Sequence, residues 1–201
     1  MTEVMKFVET LPPEEVARAN FYGLLARLFY AAPDAALLEA LAGAQDIDAE
    51  DGAIGEAWQA LARAAAAADP DAVREEYESA FIGTGKAPVT LYAAAYTVRY
   101  SNEAPLVALR AELAALGLAR RDGAHEPEDH IAALCDTMRH LVAEQKRDLH
   151  EQARFFRRWI GPAAEPLCDA ISRHPGCEFY RDVGRFAKCF FQLEQSAFEM
   201  L

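Results

Sequence analysis

One short run, His125-Glu126-Pro127-Glu128-Asp129-His130, gathers three carboxylates and two imidazoles. Such groups can move protons, bind a metal ion or accept a guanidinium. The metal option fails on spacing. Di-iron bundles draw Glu-x-x-His pairs from facing helices. The residues three before His130, His140, His150 and His174 are Pro127, Thr137, Arg147 and Ile171. His125 does follow an acid, Asp122, but both fall in a polar stretch with no helical pattern. No His-Glu-x-x-His occurs, so no metal site is expected. Gly83-Thr84-Gly85-Lys86 is a failed phosphate loop, because Ala80 and Ala87 stand where that loop needs Gly and Ser or Thr. No Gly-x-Ser-x-Gly is present. The sequence therefore offers no catalytic residue and no cofactor site. What remains is recognition: Glu126, Asp129 and His130 form an acidic, hydrogen-bonding cluster fit to receive a guanidinium. The same run also reads as an ordinary helix start, with Pro127 in the first turn and acids at the positive end of the dipole.

The elements that must position this cluster are helical, because the apolar period stays close to 3.6. A first helix is predicted over Pro13 to Tyr30, burying Val16, Phe21, Leu24, Leu25, Leu28 and Phe29. Pro33-Asp34 opens a second with Leu37, Leu38 and Leu41, closed by Gly43. A third runs from about Gly52 to Ala68 and buries Ile54, Trp58 and Leu61, until Asp69-Pro70 ends it. Val73, Tyr77 and Phe81 mark a fourth, which stops at the loop Gly83 to Pro88. Leu91 to Tyr100 is ambiguous and read as helix. Leu106, Leu109, Leu113 and Leu116 make a helix ended by Gly117. The polar segment from Leu118 to His125 is the expected hinge. Beyond it, Ile131, Leu134, Cys135, Met138, Leu141 and Val142 form the longest pattern, with Lys146 and Arg147 in its last turn. Phe155, Trp159 and Ile160 belong to a helix ending at Gly161-Pro162. Leu167 and Ile171 lie on a short helix that breaks at His174-Pro175-Gly176. The last helix carries Phe179, Val183, Phe186, Phe190 and Phe191. No alternating run is found, so no sheet is expected. The fold class is all-α: a bundle of about nine to ten helices in one domain, 1–201, with an N-terminal half 1–116, a hinge at 117–125 and a C-terminal half 126–201.

Bulk properties set limits on partners. The 201 residues are 52% apolar, enough for a core, and the net charge is −12. Phosphate would be repelled, so nucleic acid is excluded as a partner, whereas a basic ligand would be attracted. The start, Met1 to Glu9, lacks a basic n-region with a long apolar run, and the uncharged stretch from Ala87 to Val98 is too short to span a bilayer. No stable membrane insertion is expected. Cys135, Cys168, Cys177 and Cys189 form no Cys-x-x-Cys, and each is read as a reduced residue within a helical apolar pattern in a cytoplasmic protein.

At the cluster the chain resembles the TorD/DmsD family of redox-enzyme maturation chaperones. Glu126-Pro127-Glu128-Asp129-His130 matches the family's Glu-Pro-x-Asp-His motif. Weaker matches follow in order: Tyr22 to Phe29, Tyr77 to Gly83, Pro105 to Arg110, Gln152 to Phe155 with Trp159, and His174-Pro175 with Phe179-Tyr180-Arg181. Together they cover about Asn20 to Phe191. The sequence departs from the family where Ala80 replaces the usual Leu. It departs again where Gly85-Lys86 replaces the Pro and aromatic of better-studied leader binders. Leu91 to Tyr96 is more similar to relatives serving formate dehydrogenases or nitrate reductases.

The resemblance implies a chaperone fold and no enzymatic activity. It implies that the partner is the catalytic subunit of a molybdenum or tungsten oxidoreductase. The chaperone would bind the subunit's twin-arginine leader, its apo-enzyme body or both, and would delay export until the cofactor is inserted. Glu126, Pro127, Asp129 and His130 would lie at the leader-binding region, with Tyr77, Phe81 and Pro88 as apolar contacts nearby. A body-binding chaperone for a leaderless nitrate reductase or formate dehydrogenase subunit stays open. So does a helical protein binding a nucleotide or other small molecule. The hinge permits a monomer or a domain-swapped dimer.

Overall fold

The computed structural model describes residues 11–44, 52–83, 85–98, 104–119 and 126–201. The expectations for Met1 to Glu9 and for most of the hinge, 120–125, lie outside the described residues. The described chain is α-helical: α1 (Pro13–Tyr30), α2 (Ala35–Gly43), α3 (Ala53–Ala67), α4 (Pro70–Tyr77), α5 (Ala94–Thr97), α6 (Pro105–Ala115), α7 (Ile131–Ala143), α8 (Leu149–Phe155), α9 (Gly161–Arg173) and α10 (Phe179–Glu199). Two π-helical turns follow α4 and α8, at Glu78–Ile82 and Phe156–Ile160. Among the described residues there is no strand, and one isolated antiparallel bridge pairs Tyr92 with His130.

Local chemistry sets the helix ends. Pro13 begins α1 with Glu14 and Glu15 in the first turn. Asp34 caps α2 through the Leu37 N–H. Asp69 accepts from Asp71 and Ala72 with Pro70 at the first position, so one dipeptide ends α3 and starts α4. After α6, Gly117 turns left-handed at φ +74°. The Leu118 N–H then reaches Leu113 and the Gly117 N–H reaches Ala114, which pairs the last carbonyls. The start of α10 has no cap of its own. Glu76 of α4 supplies one, its carboxylate accepting from Phe179 N–H at 3.1 Å and Tyr180 N–H at 2.7 Å.

The core lies between α1, α7 and α10. α1 packs along α7, α10 packs on α9 and α3, and α2 packs on α3. Tyr22, Phe29, Phe155, Phe186, Phe190 and Tyr180 are fully buried there. Within this apolar interior the Glu194 carboxyl group is buried. It takes both Nε and Nη2 of Arg18, each at 2.7 Å, and the Tyr22 hydroxyl at 2.8 Å. α6 is peripheral: its packing on any other helix is slighter than the pairings just named.

Several sequence expectations are corrected. Val16 is 42% exposed; it faces solvent on the first turn of α1. Among the described residues of the stretch beginning at Leu91, only Ala94–Thr97 is helical, because the Leu91 carbonyl and the Ala93 N–H are bonded to Ile131 and Asp129. α7 ends at Ala143, and Lys146 lies beyond it in the left-handed region at φ +47°. Helix continues through Gly161-Pro162. The Gly161 N–H reaches back to Phe156 in the π-helical turn, and Pro162 has no N–H to place, so no donor is orphaned. Cys177 is buried but sits in the loop before α10, with Sγ 3.8 Å from His174 Nδ1.

Candidate functional site

The motif run folds as a turn ahead of α7 and not as its first turn. The His130 N–H bonds to the Pro127 carbonyl at 3.1 Å, and α7 begins at Ile131. His130 is the N-cap, its Nδ1 accepting from the Ala132 N–H at 3.2 Å. That bond requires Nδ1 to be unprotonated, so the neutral ring carries its hydrogen on Nε2. Burial lowers the His130 pKa below its ordinary value, against the opposing pull of Glu126 and Asp129.

A backbone pairing fixes which way each side chain faces. The Ile131 N–H bonds to Leu91 at 2.8 Å and the Ala93 N–H to Asp129 at 2.9 Å. These bonds flank Tyr92 and His130, making them a non-hydrogen-bonded pair whose side chains approach closely. Their rings meet edge to face at 5.3 Å. Side chains alternate along such a pairing, so Asp129 faces the other way from His130.

His130 and Glu126 line a groove of about 770 Å³ together with Tyr77, Phe81, Leu91 and Tyr92. Tyr77 and Phe81, each 7% exposed, form its floor. Both rings rest on Tyr180, and the Tyr77 hydroxyl bonds to the Phe29 and Tyr30 carbonyls. Tyr30 and Ile82 stand at its edge, 68% and 58% exposed. The Tyr92 hydroxyl donates to Glu126, and this bond holds the phenol up at about 12. Glu78, Arg74 and Lys86 complete the charged surroundings. The π-helical turn at 78–82 carries Phe81 and Ile82 into this groove, as such turns do at many functional sites.

Thus Glu126, His130, Tyr77 and Phe81 are brought together. Asp129, Pro127 and Pro88 are not part of the lining. Asp129 is buried, its Oδ2 accepting from the Ala94 N–H at 3.2 Å at the start of α5. Pro127 supplies a carbonyl to the turn. Pro88 is exposed, its ring close to Gly83. Sequence reasoning missed Tyr92, Tyr30 and Ile82. Tyr92 lay in the ambiguous stretch, 34 positions from Glu126. Tyr30 and Ile82 carried a weak signal, as apolar residues at helix ends. Among the described residues no cluster of His, Cys, Asp and Glu is arranged to hold a metal ion, and no helix is long and apolar enough to cross a membrane.

A family model for the nitrate reductase delta subunit matches residues 47–169. The chain belongs to that family, which is of the TorD-like redox-enzyme maturation type. It is accordingly a maturation chaperone of the molybdoenzyme kind. In solved structures, this family member is similar to a proposed redox enzyme maturation protein from Archaeoglobus fulgidus. The two share 18% identity over 95% of this chain and 99% of that one, with a TM-score of 0.58. Likeness at that identity speaks for the fold. No curated protein sequence matches the chain. Within the fold, the family motif divides its labour: Glu126 and His130 face the groove, while Asp129 holds the backbone behind it.

Proposed function

We propose that the protein binds the N-terminal leader of a molybdenum or tungsten oxidoreductase subunit in the groove between the Tyr77–Ile82 segment and the Glu126–His130 turn. It holds that subunit in the cytoplasm until its cofactor is inserted, and catalyses no reaction itself. The observation that carries this reading is the exposed apolar pair Tyr30 and Ile82 above a buried aromatic floor, beside the exposed carboxylate of Glu126. A twin-arginine leader joins two guanidiniums to an apolar segment, and the groove offers a partner for each. Apolar burial, at about 25 cal/mol per Å², supplies most of the affinity. An exposed ion pair adds about 0–1 kcal/mol, and the net charge of −12 speeds encounter with a basic ligand. Asp129 and Pro127 serve by holding the turn, and Pro88 by shaping the loop beside Gly83.

The test is calorimetric titration with a synthetic leader peptide. Ile82→Asp alters an exposed edge residue and is expected to weaken binding about tenfold or more. Glu126→Gln is expected to weaken it roughly two- to fivefold. Unchanged affinity in Ile82→Asp and Tyr30→Ala would remove the groove from the reading.

A second reading is favoured by the family match to nitrate reductase delta subunits. In it the client is a leaderless subunit and the groove takes a segment of its apo-enzyme body. Capture of the apo subunit with no affinity for a leader peptide would select it. In either case the segment 117–125 serves as a hinge between halves that permits a monomer or a domain-swapped dimer, distinguishable by light scattering.

A further inference from the structure

Helix α6 lies behind the motif turn, beside the cavity that Asp129 lines, while His130 lines the first groove. Its interior is rich in Leu and Ala, which favour helix. Its ends are weaker. Ala104 supplies no side-chain cap, the first turn carries no acid and the last turn no base to match the dipole. Gly117, left-handed at φ +74°, closes the far end. Eleven residues also fall below the roughly 12–15 at which an isolated helix holds in water. α6 therefore depends on what it packs against.

That packing is thin. Within α6 only Leu109 is buried, whereas α7 buries seven of its thirteen residues. Val107 is 67% exposed, and Leu116, just past the helix end, is the second buried anchor. Cavities flank the helix. One, about 380 Å³, separates Pro105 and Ala108 from Leu134 and Trp159. The other, about 530 Å³, separates Ala111 and Ala115 from Arg147 and Arg154. Polar ties supplement the two anchors. Arg110 Nε donates to Oε1 of Glu128, in the motif turn itself, at 2.9 Å. Arg158 Nη1 at 3.0 Å and Trp159 Nε1 at 2.9 Å both donate to Oε2 of Glu112. Gln145 Nε2 donates to the Leu116 carbonyl at 2.8 Å. The Arg110 and Arg158 side chains are more than half exposed, so water replaces their bonds with little loss.

We infer that α6 is a strap that opens by itself while α1, α7 and α10 stay folded, with the Arg110–Glu128 pair as its latch to the motif turn. Such an opening forfeits little buried apolar contact, and that contact sets the free energy of local unfolding. It bares Trp159 and the Leu134 side of α7. It leaves in place the floor of the first groove, which rests on Tyr77, Phe81 and Tyr180. The chain thus holds a second apolar surface, shown only when the strap is open. The inference does not depend on what fills the first groove.

Native-state hydrogen exchange read by mass spectrometry tests it. Amides 109–116 of the wild-type protein are expected to exchange at least about tenfold faster than those in the middle of α1 and α7. Urea kept below the unfolding transition should speed exchange in α1 and α7 and barely move α6, because a small opening exposes little surface. Glu194→Ala loosens the tie between α1 and α10. It should speed α1 and α7 at least about fivefold while α6 stays within about twofold. The urea series needs no variant and decides the matter if Glu194→Ala does not fold. Arg110→Gln cuts the latch and should speed α6 about two- to fivefold. Arg27→Gln, which cuts a similarly exposed pair with Asp34, should leave α6 as it is. Amides of α6 that exchange as slowly as those of α1, or that speed in step with them in urea or in Glu194→Ala, would overturn the strap. An α6 rate unmoved by Arg110→Gln, or moved as far by Arg27→Gln, would overturn the latch.

Discussion

The Tyr92 hydroxyl donates to Oε2 of Glu126, tying the segment before α5 to the turn before α7. This bond is the main reason the Tyr92 phenol is held up at about 12. Glu126→Gln removes the charge, so Tyr92 is expected to titrate closer to the ordinary 10. Carbon-13 tyrosine resonances followed through the alkaline range would report it. An unmoved titration would assign the shift to burial against His130.

His130 links stability to pH. Its folded pKa lies below the unfolded value of 6.5, so the folded state binds fewer protons. The stability it contributes is therefore present above pH 6.5 and is lost as pH falls through that value toward the folded pKa. The Tyr92 ring faces it, and the charges of Glu126 and Asp129 moderate the effect. Protonating Nδ1 also breaks the cap on Ala132. His130→Asn keeps a capping oxygen and does not titrate. Urea midpoints taken from pH 7.5 down to about 5 are expected to fall less steeply in His130→Asn than in wild type.

Asp129 is expected to matter to the fold more than a helix-dipole contact would. Removing the carboxylate leaves the half-buried Ala94 N–H without its acceptor. The cost of an unmade buried bond is about 1–3 kcal/mol, against about 0.3–1 kcal/mol for a charge near a helix end. A urea melt of Asp129→Ala separates the two ranges. A loss in the lower range would mean that the bond to Ala94 contributes little.

Glu194→Ala is expected to cost about 1–3 kcal/mol, because the buried Tyr22 hydroxyl loses its acceptor, while Arg18 keeps its pair with Glu15. Replacing Tyr22 by Phe as well should recover most of that loss. Thermal melts of the single and double variants give the comparison. A mild single variant would show that water reaches the Tyr22 hydroxyl.

What was legible in the sequence was what is local. The bounds of α1 and the buried side of α7 follow from a repeat that a few turns of helix suffice to display. Gly117 announced the end of α6 because only a left-handed residue closes that turn. The rest needed partners distant in the chain. Nothing near Phe179 says that its N–H is capped from α4. Nothing near Asp129 says that residues 91–93 lie alongside and turn its side chain away from His130. The π-helical turn at Phe156–Ile160 was hidden for a different reason: Gly161-Pro162 is an ordinary stop signal, and only the extra residue in the preceding turn lets helix run through it. The candidate site was half legible. Its family motif stood out, while its exposed edge at Tyr30 and Ile82 did not.

The tie between Glu76 and Tyr180 spans 104 positions. A ribosome adding about 5–20 residues per second needs roughly 5–20 s to cover that span. During this interval Glu76 has nothing to cap, and Tyr77 and Phe81 have no Tyr180 ring beneath them. The floor of the first groove is completed only by α10. A nascent chain therefore has no finished surface to offer, and any client it meets in that time must wait for α10 to be made.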